Sequence, residues 1–457
     1  MALSVIILGA GKGSRMCSKN PKVLQKLAGK YLVEHVLSTV QKLNTEEVIV
    51  VHGHLGHQIQ EALYKYDVQI KWVEQKERLG TGHAVLQAMS SVNPYNKVLI
   101  LYGDVPLISF DTLNHFVDVT RDKQLGILTA EVQDPFGLGR IIRNKYHDVI
   151  KIVEEKDATE IDKQITEINT GIYCVSASSL NKWLPHLKDN NSQGEYYLTD
   201  VVAMARDEGV AIRVAQPIDI FEISGVNTRV ELAQLERIWQ RSRAEVIMSG
   251  GVSIADPDRI DIRGEVSIGQ DTWIDNNVIL EGNVSIGENC IIGPGCFIKD
   301  TTIGSGVKIK PYSVLEGVSV GSNSNVGPYA RLRPGAVLAD NVHVGNFVEI
   351  KASTLASGVK AGHLSYIGNA EIGEDCNIGA GVITCNYDGA KKHKTVIGAD
   401  VFVGSNSALV APVTVASGAS IAAGTIVTKT VKEDSLAITR APQKSIKNWN
   451  RPRKNKL

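Results

Sequence analysis

From about residue 252 an aliphatic side chain recurs at every sixth position, and no other feature limits the fold so sharply. The series runs Ile268, Ile274, Leu280, Ile286, Ile292 and Ile298. After a one-residue slip it continues through Ile303, Ile309 and Leu315. After another it runs Val320, Val326, Leu332, Leu338, Val344 and Ile350, and it resumes as Ile397, Val403, Leu409, Val415, Ile421 and Val427. Half-buried strands alternate with period two and helices repeat at 3.6, so a sustained period of six is neither alone. It is the signature of a parallel β-helix: three hexads close one triangular coil, with the aliphatic residue pointing inward and a small or polar residue at the corner. About 180 residues then make about ten coils, a prism on the order of 50 Å long at an interstrand spacing of about 4.8 Å. The period leaves the handedness open.

Two segments break the pattern. Thr384–Val396 is too long for a corner and is expected to loop out of the prism. Its Asn386-Tyr387-Asp388 is polar and aromatic together, which suits a ligand-covering loop; a tolerated insertion is the alternative. The chain end carries Arg440, Lys444, Lys447, Arg451, Arg453, Lys454 and Lys456 without an acid. It reads as a solvated tail or as one that seeks the phosphates of an anionic cofactor.

The first half has a different grammar. Apolar runs at Val5–Leu8, Val48–Val51, Ile70–Val73 and Val98–Leu101 predict buried strands, separated by helical patterns such as Leu32–Leu43 and His83–Met89. This is an α/β, Rossmann-like arrangement with a largely parallel sheet. Leu232, Leu235, Ile238, Trp239 and Val246 recur at helical spacing without Gly or Pro until Gly250, predicting a long connecting helix. The expected division is 1–228, a helical linker 229–249, and 250–457. Lys plus Arg and Asp plus Glu are both 49, which argues against a whole-chain electrostatic grip on nucleic acid. No apolar run approaches the roughly 20 residues of a membrane helix, so no membrane insertion is expected. Met1-Ala2-Leu3-Ser4 does not open a signal peptide, and the six cysteines form no Cys-x-x-Cys pair. A cytoplasmic, reducing location is expected.

Candidate chemistry begins where the first strand ends. Leu8-Gly9-Ala10-Gly11-Lys12-Gly13-Ser14-Arg15-Met16 can turn sharply and bring N–H groups to phosphates, with Lys12, Arg15 and Lys22 adding charge. It is neither a Walker loop nor the dinucleotide fingerprint. Gln75 ends another strand, Gly80-Thr81-Gly82-His83 opens a helix, and Tyr102-Gly103-Asp104 ends Val98–Leu101. A carboxylate at the carboxyl end of a parallel strand lies where α/β sheets bind ligands, and Asp104 suits magnesium. The alternative role for Asp104 is a helix N-cap. The run His52-Gly53-His54-Leu55-Gly56-His57 reads as loop histidines and not as a metal site.

Leu8–Met16 with Pro21-Lys22, Gly80-Thr81-Gly82 and Gly103-Asp104-Val105-Pro106 resembles the sugar-1-phosphate nucleotidylyltransferases. Followed by a hexapeptide prism, the chain from about residue 3 to about 452 resembles the bacterial family of bifunctional N-acetylglucosamine-1-phosphate uridylyltransferases / glucosamine-1-phosphate acetyltransferases. Gly9 departs from that family, which usually has Ala there. The resemblance implies a left-handed prism, a homotrimer packed through it, and synthesis of UDP-N-acetylglucosamine for the bacterial envelope. It implies that Leu8, Gly9, Ala10, Gly11, Lys22, Gln75, Gly80 and Thr81 bind nucleotide. Tyr102, Gly103, Asp104, Gly139, Glu154, Asn169 and Asn227 complete that pocket, with Asp104 and Asn227 as Mg2+ ligands. UTP and N-acetylglucosamine-1-phosphate are the implied substrates there. In the prism, Arg333, Lys351, Tyr366 and Asn377 are implied to bind glucosamine-1-phosphate, and His363 to act as general base. Ala380, Asn386, Tyr387, Ser405, Ala423 and Arg440 are implied to contact acetyl-CoA. In such a trimer the cleft lies between subunits, and Asn386-Tyr387 serve a neighbour's His363. Cys385, beside this site, has no base next to it in sequence and is not expected to be a nucleophile. Two other readings stay open: a different sugar nucleotidylyltransferase whose prism only assembles subunits, and a nonenzymatic scaffold.

Overall fold

A computed structural model describes residues 1–11, 13–53, 55–66 and 69–451. Lys12, His54, Arg453, Lys454 and Lys456, singled out above, lie outside the described residues. The chain divides into two compact units, Met1–Trp239 and Gln240–Leu457. The expected connecting helix is Arg229–Ser249, so the division falls within it. Its start is capped reciprocally: Glu231 N donates to Thr228 Oγ1 at 3.1 Å, and Thr228 N to Glu231 Oε2 at 3.3 Å.

In the first unit a sheet runs in the order Ile212–Ala215, Leu125–Glu131, Glu167–Ser176, Lys97–Tyr102, Leu3–Gly9, Thr45–His52, Ile70–Glu74. Leu3–Gly9 pairs in parallel with Thr45–His52 on one side and Lys97–Tyr102 on the other. All seven of its residues are buried, as a central parallel strand with helices on both faces requires. The largely parallel expectation holds along the main path except at Glu167–Ser176, which is antiparallel to both neighbours; Gly139–Arg143 adds antiparallel to that strand and Val149–Val153 antiparallel to Gly139–Arg143. The first three expected strands and Lys97–Tyr102 therefore end on one edge, where their following loops converge. The helix Phe110–Val119 is capped by Ser109, whose Oγ accepts from Thr112 N at 3.1 Å, so Asp104 is not a helix cap.

The second unit is the expected parallel β-helix. One wall holds eleven short strands among the described residues, from Ser253–Ile254 to Leu436–Ala437, each parallel to the next. The other two walls join because Ile260–Ile268 and Val278–Ile286 run continuously round a corner. Every residue of the period-six series is buried except Ile268, which is only partly covered near the first coil. The series also bridges its apparent gap. Leu355, Ala361, Ile367, Ile372, Ile378 and Thr384 point inward between Ile350 and Ile397. Thr384 is tolerated there because its hydroxyl donates to Gly368 O at 3.0 Å. The looped-out insert is accordingly shorter than expected: Ile383–Cys385 and Thr395–Ile397 are wall strands, and only Asn386–Lys394 departs.

One corner places bulky residues in the left-handed region: Tyr312, Tyr329, Phe347 and Leu364, with φ of 58°, 54°, 59° and 52°. Their side chains are half exposed and the three rings stack at 5.3 and 5.5 Å. The first coil is closed by Gln240, fully buried. Its Oε1 accepts from Ile262 N at 2.6 Å and its Nε2 donates to Ile262 O at 3.2 Å.

Burying one more aliphatic per strand is what holds the coils together, at about 1.5–3 kcal/mol per side chain. Ile298→Ala, far in sequence from any candidate site residue, is expected to cost about 2–5 kcal/mol. Thermal unfolding followed by circular dichroism should show a lowered transition for the prism, with nucleotidyl transfer retained.

Candidate functional site

The loops after Leu3–Gly9, Ile70–Glu74 and Lys97–Tyr102 enclose a cleft of about 340 Å3. Leu8, Gly9, Ala10, Gly11, Lys22, Gln75, Gly80, Thr81, Tyr102 and Asp104 all line it. Gly103 N donates to Leu8 O at 2.9 Å, so the two loops are fixed side by side. Gly80 sits at φ 109°, and a Cβ there would lie 2.6 Å from Tyr196 O; only glycine fits. A methyl at Gly9 would meet Val51 O at 3.3 Å, a tight approach that the glycine removes.

Lys22 is the electrostatic centre. Its ammonium forms an ion pair with Asp104 and donates to Asn227 Oδ1 at 3.0 Å. Arg15 Nη2 donates to the same Asn227 oxygen at 3.0 Å. Asp104 and Asn227, 123 positions apart in the numbering, thus aim oxygen atoms at one cation position. That donor set suits magnesium, which takes oxygen ligands.

Gly139, Glu154 and Asn169 lie together but are not among the residues that line this cleft. Asn169 pairs with Gly139 in register, and a Cβ on Gly139 would stand 3.4 Å from Glu154 Oε2. Asn169 Oδ1 accepts from Gly171 N and Tyr173 Oη, both at 3.0 Å. Burial pushes the Glu154 carboxyl up, against a hydrogen bond from Thr199. Burial, and then Glu154 and Asp104, push the Tyr102 phenol well above its usual range, so it remains a neutral donor. The sequence did not single out Arg78, which lines this cleft and an adjoining one of about 230 Å3 beside Gly11, Ser14 and Lys19. The buried His52 bonds Gly53 O at 3.0 Å, and the described residues hold no cluster of three metal-ligating side chains.

The prism site is built from register. Asn346 pairs with His363 on successive coils. The pairing of Lys360 with Asn377 carries His363 onto Ala380. The pairings Asn377 with Phe402, and Phe402 with Ser420, carry Ala380 onto Ser405 and then onto Ala423. Asn406 N donates to Ala380 O at 2.7 Å and Gly424 N to Ser405 O at 2.8 Å along this line. Five successive coils therefore put Asn346, His363, Ala380, Ser405 and Ala423 in one column at one corner. Arg440 is exposed just beyond its end. Asn377 is on the same wall as His363, one coil on, stacked over Lys360.

Asn346 was invisible to sequence reasoning, because only the coil register brings it to His363. His363 Nδ1–H donates to its Oδ1 at 2.7 Å, which leaves Nε2 with the free lone pair. The ring is exposed, so Nε2 can reach a ligand.

On the adjoining wall, Arg333 and Lys351 stack, and Glu349 and Tyr366 stack beside them. Arg333 Nη1 bonds Glu349 Oε1 at 2.7 Å. A hydrogen bond with Lys392, from the excursion, and then the charges of Lys392 and Arg333 push the Lys351 ammonium below its usual range. Neither Glu349 nor Lys392 was flagged by the sequence pattern. Asn386 turns inward and its Nδ2 donates to Asn369 Oδ1 at 2.7 Å, whereas Tyr387 is exposed. Cys385 is a free, half-buried thiol.

These geometries have relatives. Residues 5–168 match the MobA-like NTP transferase domain, residues 262–348 the GMPPB C-terminal domain, and residues 394–429 the hexapeptide repeat of succinyl-transferase. Over 452 residues the chain is 55% identical to the bifunctional protein GlmU of Francisella philomiragia, covering 99% of each chain. The chain belongs to the bifunctional GlmU family. The same protein of Acinetobacter baumannii strain AYE is 52% identical over 456 residues, 100% of each. As a member, the chain is a bifunctional enzyme, a nucleotidyltransferase and an acetyltransferase in UDP-N-acetylglucosamine synthesis, and its substrates are small molecules. The prism is the left-handed β-helix of hexapeptide proteins. Among the described residues no helix is long and apolar enough to cross a membrane.

Gly368 is a position where a small change tests the geometry. A Cβ there would stand 2.5 Å from Tyr366 Oη and 2.8 Å from Asn386 Nδ2. Both are side-chain ends able to swing away, so Gly368→Ala should displace them at little cost in stability. Acetyl transfer is expected to fall about 10²-fold, the usual cost of an angstrom-scale misplacement. Thiol release and the thermal midpoint, measured on the same sample, check this.

Proposed function

We propose that residues 1–228 carry uridylyl transfer from UTP to N-acetylglucosamine-1-phosphate, that 229–249 links the two activities, and that 250–457 carries acetyl transfer from acetyl-CoA to glucosamine-1-phosphate. The observation that carries the residue assignment is the column of Asn346, His363, Ala380, Ser405 and Ala423, beside the stacked Arg333 and Lys351.

In the first site the loop Leu8–Gly11 and the start of the helix at Thr81 offer N–H groups to the nucleotide. Gln75 and Gly80 face the base, while Tyr102, Gly103, Gly139, Glu154 and Asn169 hold the sugar. Mg2+ held by Asp104 and Asn227 would neutralise charge on the phosphates. Lys22 and Arg15 add positive charge where the sugar phosphate attacks the α-phosphorus in line and pyrophosphate leaves.

In the second site Arg333 and Lys351 hold the sugar phosphate, and Tyr366 and Asn377 its remaining polar groups. His363 Nε2 takes the ammonium proton, and Asn346 fixes the ring that does so. The freed amine attacks the thioester of acetyl-CoA, held by Ala380, Asn386, Tyr387, Ser405, Ala423 and Arg440. The N–H of Ala380 meets the developing oxyanion, and the thiol of coenzyme A departs. No acyl-enzyme is needed, so Cys385 has no part.

The two halves separate by substitution. Asp104→Ala is expected to abolish pyrophosphate release and spare thiol release. His363→Ala should lose about 10²–10⁴-fold in kcat for acetyl transfer, with little change in KM and with uridylyl transfer intact. Near-normal thiol release from His363→Ala at pH 7 would assign the base elsewhere.

The proposal includes a cytoplasmic homotrimer packed through the prism. Its support is the exposed ladder Tyr312, Tyr329, Phe347 and Leu364, an apolar strip that a partner subunit would cover. Sedimentation should give three chains per particle; an acetyltransferase-active monomer would contradict it.

A further inference from the structure

The strand Ile70–Glu74 delivers Gln75 to the cleft of the first unit, and the helix Thr81–Ala88 begins beside it. Gln75 is 4% exposed, and its backbone N–H donates to His52 O at 2.8 Å. A buried primary amide has two hydrogens and one oxygen to satisfy, so its partners determine which way it faces. Gln75 Nε2 donates to Gly80 O at 3.1 Å and lies 3.1 Å from His83 Nδ1. The Gly80 carbonyl is itself held in place. It also accepts from Ala84 N at 3.2 Å, while Gly82 N donates to Tyr196 O at 2.8 Å and Tyr196 N to Leu79 O at 2.7 Å.

A carbonyl oxygen only accepts, so the Gln75 amide presents its nitrogen to Gly80; turned over, it would set oxygen against oxygen. With that end fixed, His83 Nδ1 accepts the second Nε2 hydrogen. An accepting Nδ1 carries no hydrogen, which puts the hydrogen of the ring on Nε2. Gln87, one helical turn on, brings its amide nitrogen to 3.2 Å from His83 Nε2. The hydrogen on that ring nitrogen assigns the amide oxygen to this place instead, since the two amide atoms are told apart only by their partners. The Tyr196 ring flanks His83, with centroids 6.5 Å apart.

Both Nε2 hydrogens of Gln75 are thereby used, and Oε1 is the atom left for a ligand. The amide offers the cleft an acceptor and no donor. A base with a ring N–H at its pairing edge satisfies that oxygen. A base with a bare ring nitrogen there sets lone pair against lone pair and leaves the oxygen unpaired. Uracil is of the first kind and cytosine of the second.

We propose that His83 is a positioning residue that determines nucleotide specificity: by accepting a Gln75 hydrogen at Nδ1 it fixes that amide with its oxygen toward the base, and so makes the cleft select uracil over cytosine. The inference rests on the reading of Gln75 as facing the base of UTP.

The test follows pyrophosphate release by the full chain with N-acetylglucosamine-1-phosphate, magnesium, and UTP or CTP. CTP is read as a substrate or, below detectable turnover, as a competitive inhibitor of UTP, so a selectivity ratio is obtained either way. His83→Ala, and His83→Leu with the volume retained, should each lower the preference for UTP about tenfold, through a fall in kcat/KM for UTP with little change for CTP. An unchanged KM for the sugar phosphate reports that the first unit is folded. His83→Asn sets an acceptor oxygen near the place of Nδ1 and should stay within about threefold of the wild-type ratio. Gln75→Ala should lose the preference, and adding His83→Ala to it should change the ratio no further, because His83 acts through Gln75. An equal fall for UTP and CTP in His83→Ala and His83→Leu, or a further loss of preference in the double variant, would overturn the inference. If Gln75→Ala loses the preference while His83→Ala and His83→Leu keep it, this inference alone fails. If Gln75→Ala keeps it too, the reading of Gln75 as facing the base fails with it.

Discussion

Parallel pairing of each coil with the next is the interaction on which the second half of the molecule depends. Ladder hydrogen bonds fix register, and the inward aliphatic residue makes any slip expensive, because a one-residue shift would turn the apolar set outward. Once register is fixed, outward residues a coil apart in sequence become neighbours in space. That is how His363 gains Asn346, and how Arg333 meets Lys351 and Glu349. The prism needs no loop to assemble most of its site. The excursion Asn386–Lys394 is closed from inside by Asp388, which accepts from the backbone of Ala390 and Lys391.

The first unit solves the same problem with a different constraint. Its parallel strands end on one edge, so the loops after Gly9, Glu74 and Tyr102 must converge there. Charge then settles the arrangement. Lys22 lies between Asp104 and Asn227, which are oxygen donors to a cation, and their mutual pairing avoids a bare buried charge.

Much of this was legible from the residues. The period of six located the inward positions because burial in a prism depends on one residue at a time. The glycine loop and Asp104 were legible because strand ends dictate where ligands bind. Asn346, Glu349 and Lys392 were not, since their roles exist only between coils. One-residue slips and the excursion change the offset from 17 or 18 to 25, as between Asn377 and Phe402, so no fixed spacing reveals the columns. The length of the excursion was overestimated because Thr384 is polar yet faces inward, satisfied by Gly368 O. Arg78 reaches the cleft of the first unit from a loop without a motif.

The central claim is that one chain holds two separate chemistries, joined by a shared sugar phosphate. Purified protein supplied with glucosamine-1-phosphate, acetyl-CoA, UTP and magnesium tests it most directly, with free thiol and pyrophosphate followed in the same reaction. The account predicts that both products appear, with thiol release preceding pyrophosphate release and independent of UTP. Pyrophosphate without thiol would reduce the prism to an assembly module and contradict the account.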